Sequence, residues 1–208
     1  MMNNKLCFPL AEGPALPAYV QWMADNALLS QPECEWIIAR GEGSGIEAAS
    51  VGTPTNQRVD EAVRCVKYCA FDTEDSAWLY DRIAQKVILA NRDYYQFDLT
   101  GLLEPVQFLK YTMPQTPDSQ PGHYLWHQDS GAGAMGNRKL SLVIQLSPYF
   151  AYEGCRLSWF GEYGQTESPA IGQGEAVMFP SYVPHMVSPI TRGVRYALVA
   201  WIHGPRFR

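Results

Sequence analysis

From Phe97 to the C-terminus the chain is a series of short runs rich in Val, Leu, Ile, Tyr, Phe and Trp, cut apart by Gly and Pro. Runs this short, bounded by strand-ending residues, point to packed or closed β-sheets. Strands are expected near Pro105–Tyr111, His123–Asp129, Lys139–Ser147, Arg156–Phe160, Glu175–Phe179, His185–Ser188 and Arg195–His203. That series implies a sandwich or jelly roll. Gly131-Ala132-Gly133-Ala134-Met135-Gly136 matches the dinucleotide-binding glycine pattern. It is rejected, because Lys139–Ser147 alternates as a strand and leaves no helix N-terminus to receive a pyrophosphate.

The first part of the chain reads differently. Ser30-Gln31-Pro32-Glu33 is a capping-box pattern with a proline in the first turn, and Gly41 stops the short helix it opens. Asp72-Thr73-Glu74-Asp75 opens a second, from about Glu74 to Asn91, in which Leu79, Ile83 and Val87, then Ala84 and Ile88, recur at helical spacing. Both helices need a flat partner. The fold expected is therefore α+β, mainly β: one domain over 1–208, with helical support over about 1–96 packed on one sheet of a jelly-roll core over about 97–208. Gly52–Glu61, Thr112–Gly122 and Ser130–Arg138 are irregular segments of the kind that carry function.

With 208 residues the chain buries enough surface to fold without a disulfide or metal. Any metal would then be functional. A net charge of −5 argues against a phosphate-tracking surface and so against nucleic acid. The five cysteines, at 7, 34, 65, 69 and 155, are read as reduced thiols, Cys65 and Cys69 sharing one face of a strand from Val63 to Ala70. No secretory signal fits the N-terminus, which is interrupted by Pro9, Glu12, Pro14 and Pro17, and no apolar run suffices for a membrane span. A soluble, cytoplasmic protein is expected.

His127-Gln128-Asp129 places an imidazole and a carboxylate two apart, on one face of a strand. His185, held by a turn containing Pro180 and Pro184, is the candidate third ligand. Two histidines and one carboxylate on a single face leave three metal positions open, the arrangement of non-haem Fe(II) oxygenases. By itself His-x-Asp is a weak signal, more often explained by satisfied core histidines and by an aspartate at an N-cap or turn. Arg195 adds weight. Arg195, Ala197, Val199 and Trp201 share one strand face and Tyr196, Leu198, Ala200 and Ile202 the other, both largely apolar. An arginine aligned with Ala, Val and Trp points into the barrel, where it needs an anion. A dicarboxylate that chelates the metal and pairs with Arg195 answers both needs.

These residues resemble the prolyl 4-hydroxylase-like 2-oxoglutarate and Fe(II)-dependent oxygenases. The resemblance rests on Gln107-Phe108-Leu109-Lys110-Tyr111, Tyr124-Leu125-Trp126-His127-Gln128-Asp129, Phe179-Pro180-Ser181 followed by His185, and Arg195 through Trp201. It implies a double-stranded β-helix with His127, Asp129 and His185 on Fe(II), Arg195 on the C5 carboxylate of 2-oxoglutarate, and Tyr111 bonded to that cosubstrate. Ser141 and Gln145 stand where the family often has Thr and Tyr in this pocket. Cys155 and Arg156 depart from a usual glycine and acidic residue. Tyr124, Trp126, Arg156 and Trp201 are candidates to face substrate. The activity implied is hydroxylation with O2, releasing succinate and CO2, with ascorbate as a further family requirement; retention of Asp129 argues against halogenation. Two readings compete: a zinc hydrolase, which leaves Arg195 without a task, and a metal-binding jelly roll without turnover. A peptide or a small molecule fits as substrate, and neither it nor the oligomeric state is named by the sequence.

Overall fold

The computed structural model describes residues 22–23, 27–53, 56–161, 164–168 and 172–206. Cys7 and the N-terminal segment read for a signal lie outside them. Among the described residues are two helices, α1 (Gln31–Gly43) and α2 (Ala77–Ala90), with a π turn over Asn91–Tyr95 and 3₁₀ turns at Gly133–Asn137 and Tyr149–Ala151. The strands are β1 (Trp22–Met23), β2 (Glu47–Ala48), β3 (Val51–Thr53), β4 (Asn56–Arg58), β5 (Arg64–Cys65), β6 (Lys67–Phe71), β7 (Val106–Thr112) and β8 (His123–His127). They continue as β9 (Arg138–Gln145), β10 (Tyr152–Gly154), β11 (Leu157–Gly161), β12 (Gly164–Glu167), β13 (Ala176–Pro180), β14 (His185–Val187) and β15 (Ile190–His203).

Apart from the separate β3–β4 pair, the strands of the described residues form two facing sheets. The larger runs β1-β13-β9-β15-β7-β6-β2, with β10 also on β15; the smaller runs β12-β11-β14-β8-β5. Alternation along the large sheet sends Val106, Phe108, Leu140, Leu142, Ile144, Leu198, Ala200 and Ile202 outward into a core shared with Cys34 and Ile37 of α1 and Leu79, Ile83, Val87 and Ala90 of α2. The opposite face sends Leu109, Tyr111, Val143 and Ala197 inward, against Leu157, Val187 and Val183. The two faces of β15 divide as its sequence predicts. With helices outside and a second sheet inside, the double-stranded β-helix is in place.

Local chemistry explains the helix ends. Glu33 accepts from the Ser30 backbone N–H at 2.8 Å and pairs with Arg82 of α2 at 2.7 Å, so one carboxylate caps α1 and ties the helices together. Gly41 is where α1 meets the sheet: a Cβ there would lie 2.6 Å from the Phe108 ring. Helix α2 starts at Ala77 rather than Glu74 because Asp72 accepts from the Glu74 N–H at 3.1 Å and holds a turn. Ile88, expected on the buried stripe, is 65% exposed.

Three readings change. The expected strand Val63–Ala70 is two strands in different sheets, β5 and β6, with the buried Val66 between them. Cys65 and Cys69 therefore share no face: the thiol of Cys65 donates to Gln120 O and that of Cys69 to Gly41 O. Both remain free thiols, as do Cys34 and Cys155. Residues before 97 also do more than support the barrel, since β6 pairs with β7 and β5 with β8. Finally, Gly52–Glu61 contains the β3–β4 hairpin, apart from residues 54–55, which lie outside the described set. Among the described residues no helix is long and apolar enough to cross a membrane.

Candidate metal centre

β8 and β14 are antiparallel neighbours, and their register sets His127 directly against His185. β8 ends at His127, so Asp129 follows the strand; its N–H and that of Ser130 donate to Ser181 O at 3.0 and 2.9 Å. This turns the carboxylate back under the two rings. Asp129 Oδ1 lies 3.7 Å from His127 Nε2, and Oδ2 3.5 Å from His185 Nε2. The three ligand atoms are all within 4.8 Å of one another.

Both imidazoles are oriented for ligation. Nδ1 of His127 donates to Leu125 O at 2.7 Å, and Nδ1 of His185 to Val183 O at 2.9 Å. Each Nε2 then carries its lone pair toward Asp129. Burial, reinforced by the neighbouring His185, pushes His127 down to about 4, keeping that ring neutral at pH 7. Burial alone would raise Asp129, but His185, His127, the Ser141 hydroxyl and the Trp201 indole hold it below the usual carboxylate range. Two imidazoles and one carboxylate are a donor set that fits a divalent cation.

Further in, Arg195 is 4% exposed and stands opposite Tyr111 in register, its guanidinium carbon 5.4 Å from that ring. Its Nε donates to Gln145 Oε1 at 3.0 Å. No carboxylate among the described residues forms an ion pair with it. Burial pushes the Tyr111 phenol up to about 12 and the Cys155 thiol beside Arg195 up to about 11, so both stay protonated. A buried guanidinium among neutral groups is an anion site. It lines the same cavity as His127, Asp129, His185 and Tyr111.

The other expected residues separate into groups. Ser141 donates to Asp129 Oδ2 at 2.6 Å and bonds Ser181, so it serves the carboxylate ligand. Gln145 spends its amide on Arg195 and on Ser147 O. Tyr124 stacks on His127 with ring centroids 3.5 Å apart, and Trp201 lines the cavity. Trp126 stacks instead on Phe160, and Arg156 lines a different opening, toward Tyr152 and Cys155. Three residues were not anticipated. Ser181 anchors Asp129; Gln107 lines the cavity with its Oε1 buried and, among the described residues, unpartnered; and Arg64 of β5 lines it from the other sheet. Inward alternation on β7 marks Gln107, whereas no local pattern marks Arg64.

A second layer braces Asp129. Arg138 Nη1 donates to its backbone carbonyl at 3.3 Å, and the guanidinium lies 3.7 Å from the Trp201 ring centroid. Glu104 pairs with Arg138 and accepts from His203 Nε2 at 2.9 Å.

Residues 106–203 match the model of the 2OG-Fe(II) oxygenase superfamily. A PKHD-type hydroxylase of Idiomarina loihiensis is 27% identical over 124 residues, which are 60% of this chain and 51% of that protein. The chain thus aligns with about half the length of this curated relative. The fold resembles a prolyl-4-hydroxylase of Pseudomonas putida, with a TM-score of 0.68 and 19% identity over 90% of this chain and 94% of that one. A prolyl hydroxylase of Trichoplax adhaerens, solved with a hypoxia inducible factor peptide fragment, gives a TM-score of 0.70 at 17% identity, covering 88% and 83%.

Proposed function

We propose that the chain is a prolyl 4-hydroxylase-like 2OG-Fe(II) oxygenase, a reading supported by the superfamily match over residues 106–203, and that it hydroxylates a C–H bond of a peptide or small molecule, consuming 2-oxoglutarate and O2 and releasing succinate and CO2. The observation that carries this reading is the coexistence, in one cavity, of the His127, Asp129 and His185 donors with a buried arginine that forms no ion pair with a carboxylate among the described residues. A metal alone does not account for Arg195, and a zinc hydrolase does not use it.

In this reading His127, Asp129 and His185 hold Fe(II), and the metal with its keto acid supplies the oxidising power. The protein's own residues do the positioning. Leu125 O and Val183 O fix the two ring tautomers, Ser141 and Ser181 fix the carboxylate, and Gln145 aims Arg195 at the C5 carboxylate of 2-oxoglutarate. Tyr111, protonated at all physiological pH values, donates a hydrogen bond to the same cosubstrate. The apolar walls, Leu109, Val143, Leu157, Val187, Ala197 and Val199, keep water from the reacting atoms.

Anaerobic addition of Fe(II) and then 2-oxoglutarate should produce a visible charge-transfer band, and admitting O2 should release succinate. A protein that binds Zn(II) and gives no such band with Fe(II) overturns the reading. Omitting ascorbate from the same assay tests the family's requirement for it.

A further inference from the structure

Arg64 lines the cavity of His127, Asp129, His185 and Arg195, yet the proposed chemistry leaves it without a task. It stands on β5 directly opposite Tyr124 of β8, and its guanidinium carbon lies 4.8 Å from the Tyr124 ring centroid. That ring stacks on the His127 imidazole at 3.5 Å. The order guanidinium, phenol, imidazole sets a positive charge one ring away from the candidate metal, on the wall opposite Arg195.

The guanidinium is only partly satisfied. Nη1 donates to Ser50 O at 3.0 Å, while Nε is buried with no hydrogen-bond partner among the described residues. Among the described residues no carboxylate forms an ion pair with Arg64. Ferrous ion and Arg195 together balance Asp129 and a dianionic keto acid. Arg64 then leaves one positive charge over, with a donor already desolvated and stacking on Tyr124 to hold its plane.

We propose that Arg64 anchors a carboxylate of the substrate, so that the substrate is a monoanionic carboxylic acid whose reacting carbon lies near that carboxylate. The inference rests on the oxygenase reading and names its substrate class. An N-acylated amino acid and a peptide C-terminus present the same group.

The probes are N-acetyl amino acids, each matched with its carboxamide, and short peptides with free or amidated C-termini. They are titrated by calorimetry into the anaerobic Fe(II)- and 2-oxoglutarate-loaded protein. At least one acid should bind tenfold or more tightly than its amide, and the set in which the preference appears identifies the source of the carboxylate. Arg64→Gln should weaken that acid by about tenfold to a hundredfold, as expected for a lost charge-assisted hydrogen bond, and leave its amide little changed. Arg64→Lys should recover part of the loss. Three results overturn the proposal: no acid preferred over its amide, equal weakening of acid and amide by Arg64→Gln, which marks a hairpin-bracing role through Ser50, or weaker 2-oxoglutarate binding in that variant, read from the charge-transfer band. A wild-type protein without the band overturns the oxygenase reading itself, whereas a band without acid preference overturns the role of Arg64 alone.

Discussion

Arg195 donates from Nε to Gln145 Oε1 at 3.0 Å, and the Gln145 amide nitrogen in turn donates to Ser147 O at 2.8 Å. The glutamine therefore fixes the guanidinium plane from the neighbouring strand β9, leaving the remaining N–H groups to grip an anion. Arg195→Lys should weaken 2-oxoglutarate binding roughly tenfold or more while iron affinity stays near wild type, because an ammonium cannot make two parallel bonds. Gln145→Leu should act in the same direction and more weakly. Titration of the charge-transfer band measures both; an equal loss of iron affinity would mark Arg195 as structural.

His127→Ala and Asp129→Ala should each abolish succinate release and metal uptake, with circular dichroism and melting behaviour retained. The expectation follows from their position: the helix-facing core of Leu79, Ile83, Phe108, Leu142 and Leu198 lies on the other side of the large sheet. Metal content by elemental analysis, beside the activity, is the check. Wild-type succinate release in either variant refutes the ligand assignment.

Gly41→Ala should destabilise the fold by about 1–3 kcal/mol despite the better helix propensity of alanine. The new methyl would sit 2.6 Å from the ring of Phe108, which is fully buried and has no room to withdraw. Denaturant unfolding measures the effect, and a stability gain would show that α1 shifts freely over β7.

Glu104 couples the brace behind Asp129 to pH. Burial alone would raise its carboxyl, but the hydrogen bond and charge of Arg138, then those of His203, hold it below 4.5. A depressed folded-state value stabilises the protein above the unfolded value of 4.5, and that contribution disappears as pH falls through the lower folded one. Thermal midpoints of the wild type should thus fall on acidification below about pH 4.5, and Glu104→Gln should flatten that limb while lowering the neutral-pH midpoint. Parallel acid limbs in the two proteins would contradict this linkage.

Much of the site was legible because its signals are local. Period-two alternation on β15 puts Arg195 on the inward face with Ala197 and Trp201, and the i, i+2 spacing brings His127 and Asp129 together even though the strand stops at His127. The helical stripe of Leu79, Ile83 and Val87 reads equally directly. Ser141 and Gln145 were legible as inward residues but not in their tasks, since a hydroxyl and an amide bond whatever the facing strand presents. Trp126, a substrate candidate from the sequence, packs on Phe160 rather than lining the metal cavity.

The sequence by itself determined which residues alternate, which turn and which face inward, because those properties depend on neighbours one to four positions away. Only the tertiary structure decided that His185 stands in register with His127, that Val66 carries the chain from one sheet to the other, and that Arg64 enters the cavity from before residue 97. Strand pairing joins segments tens of residues apart, and its register is set by the packing of both sheets together, so no local pattern encodes it.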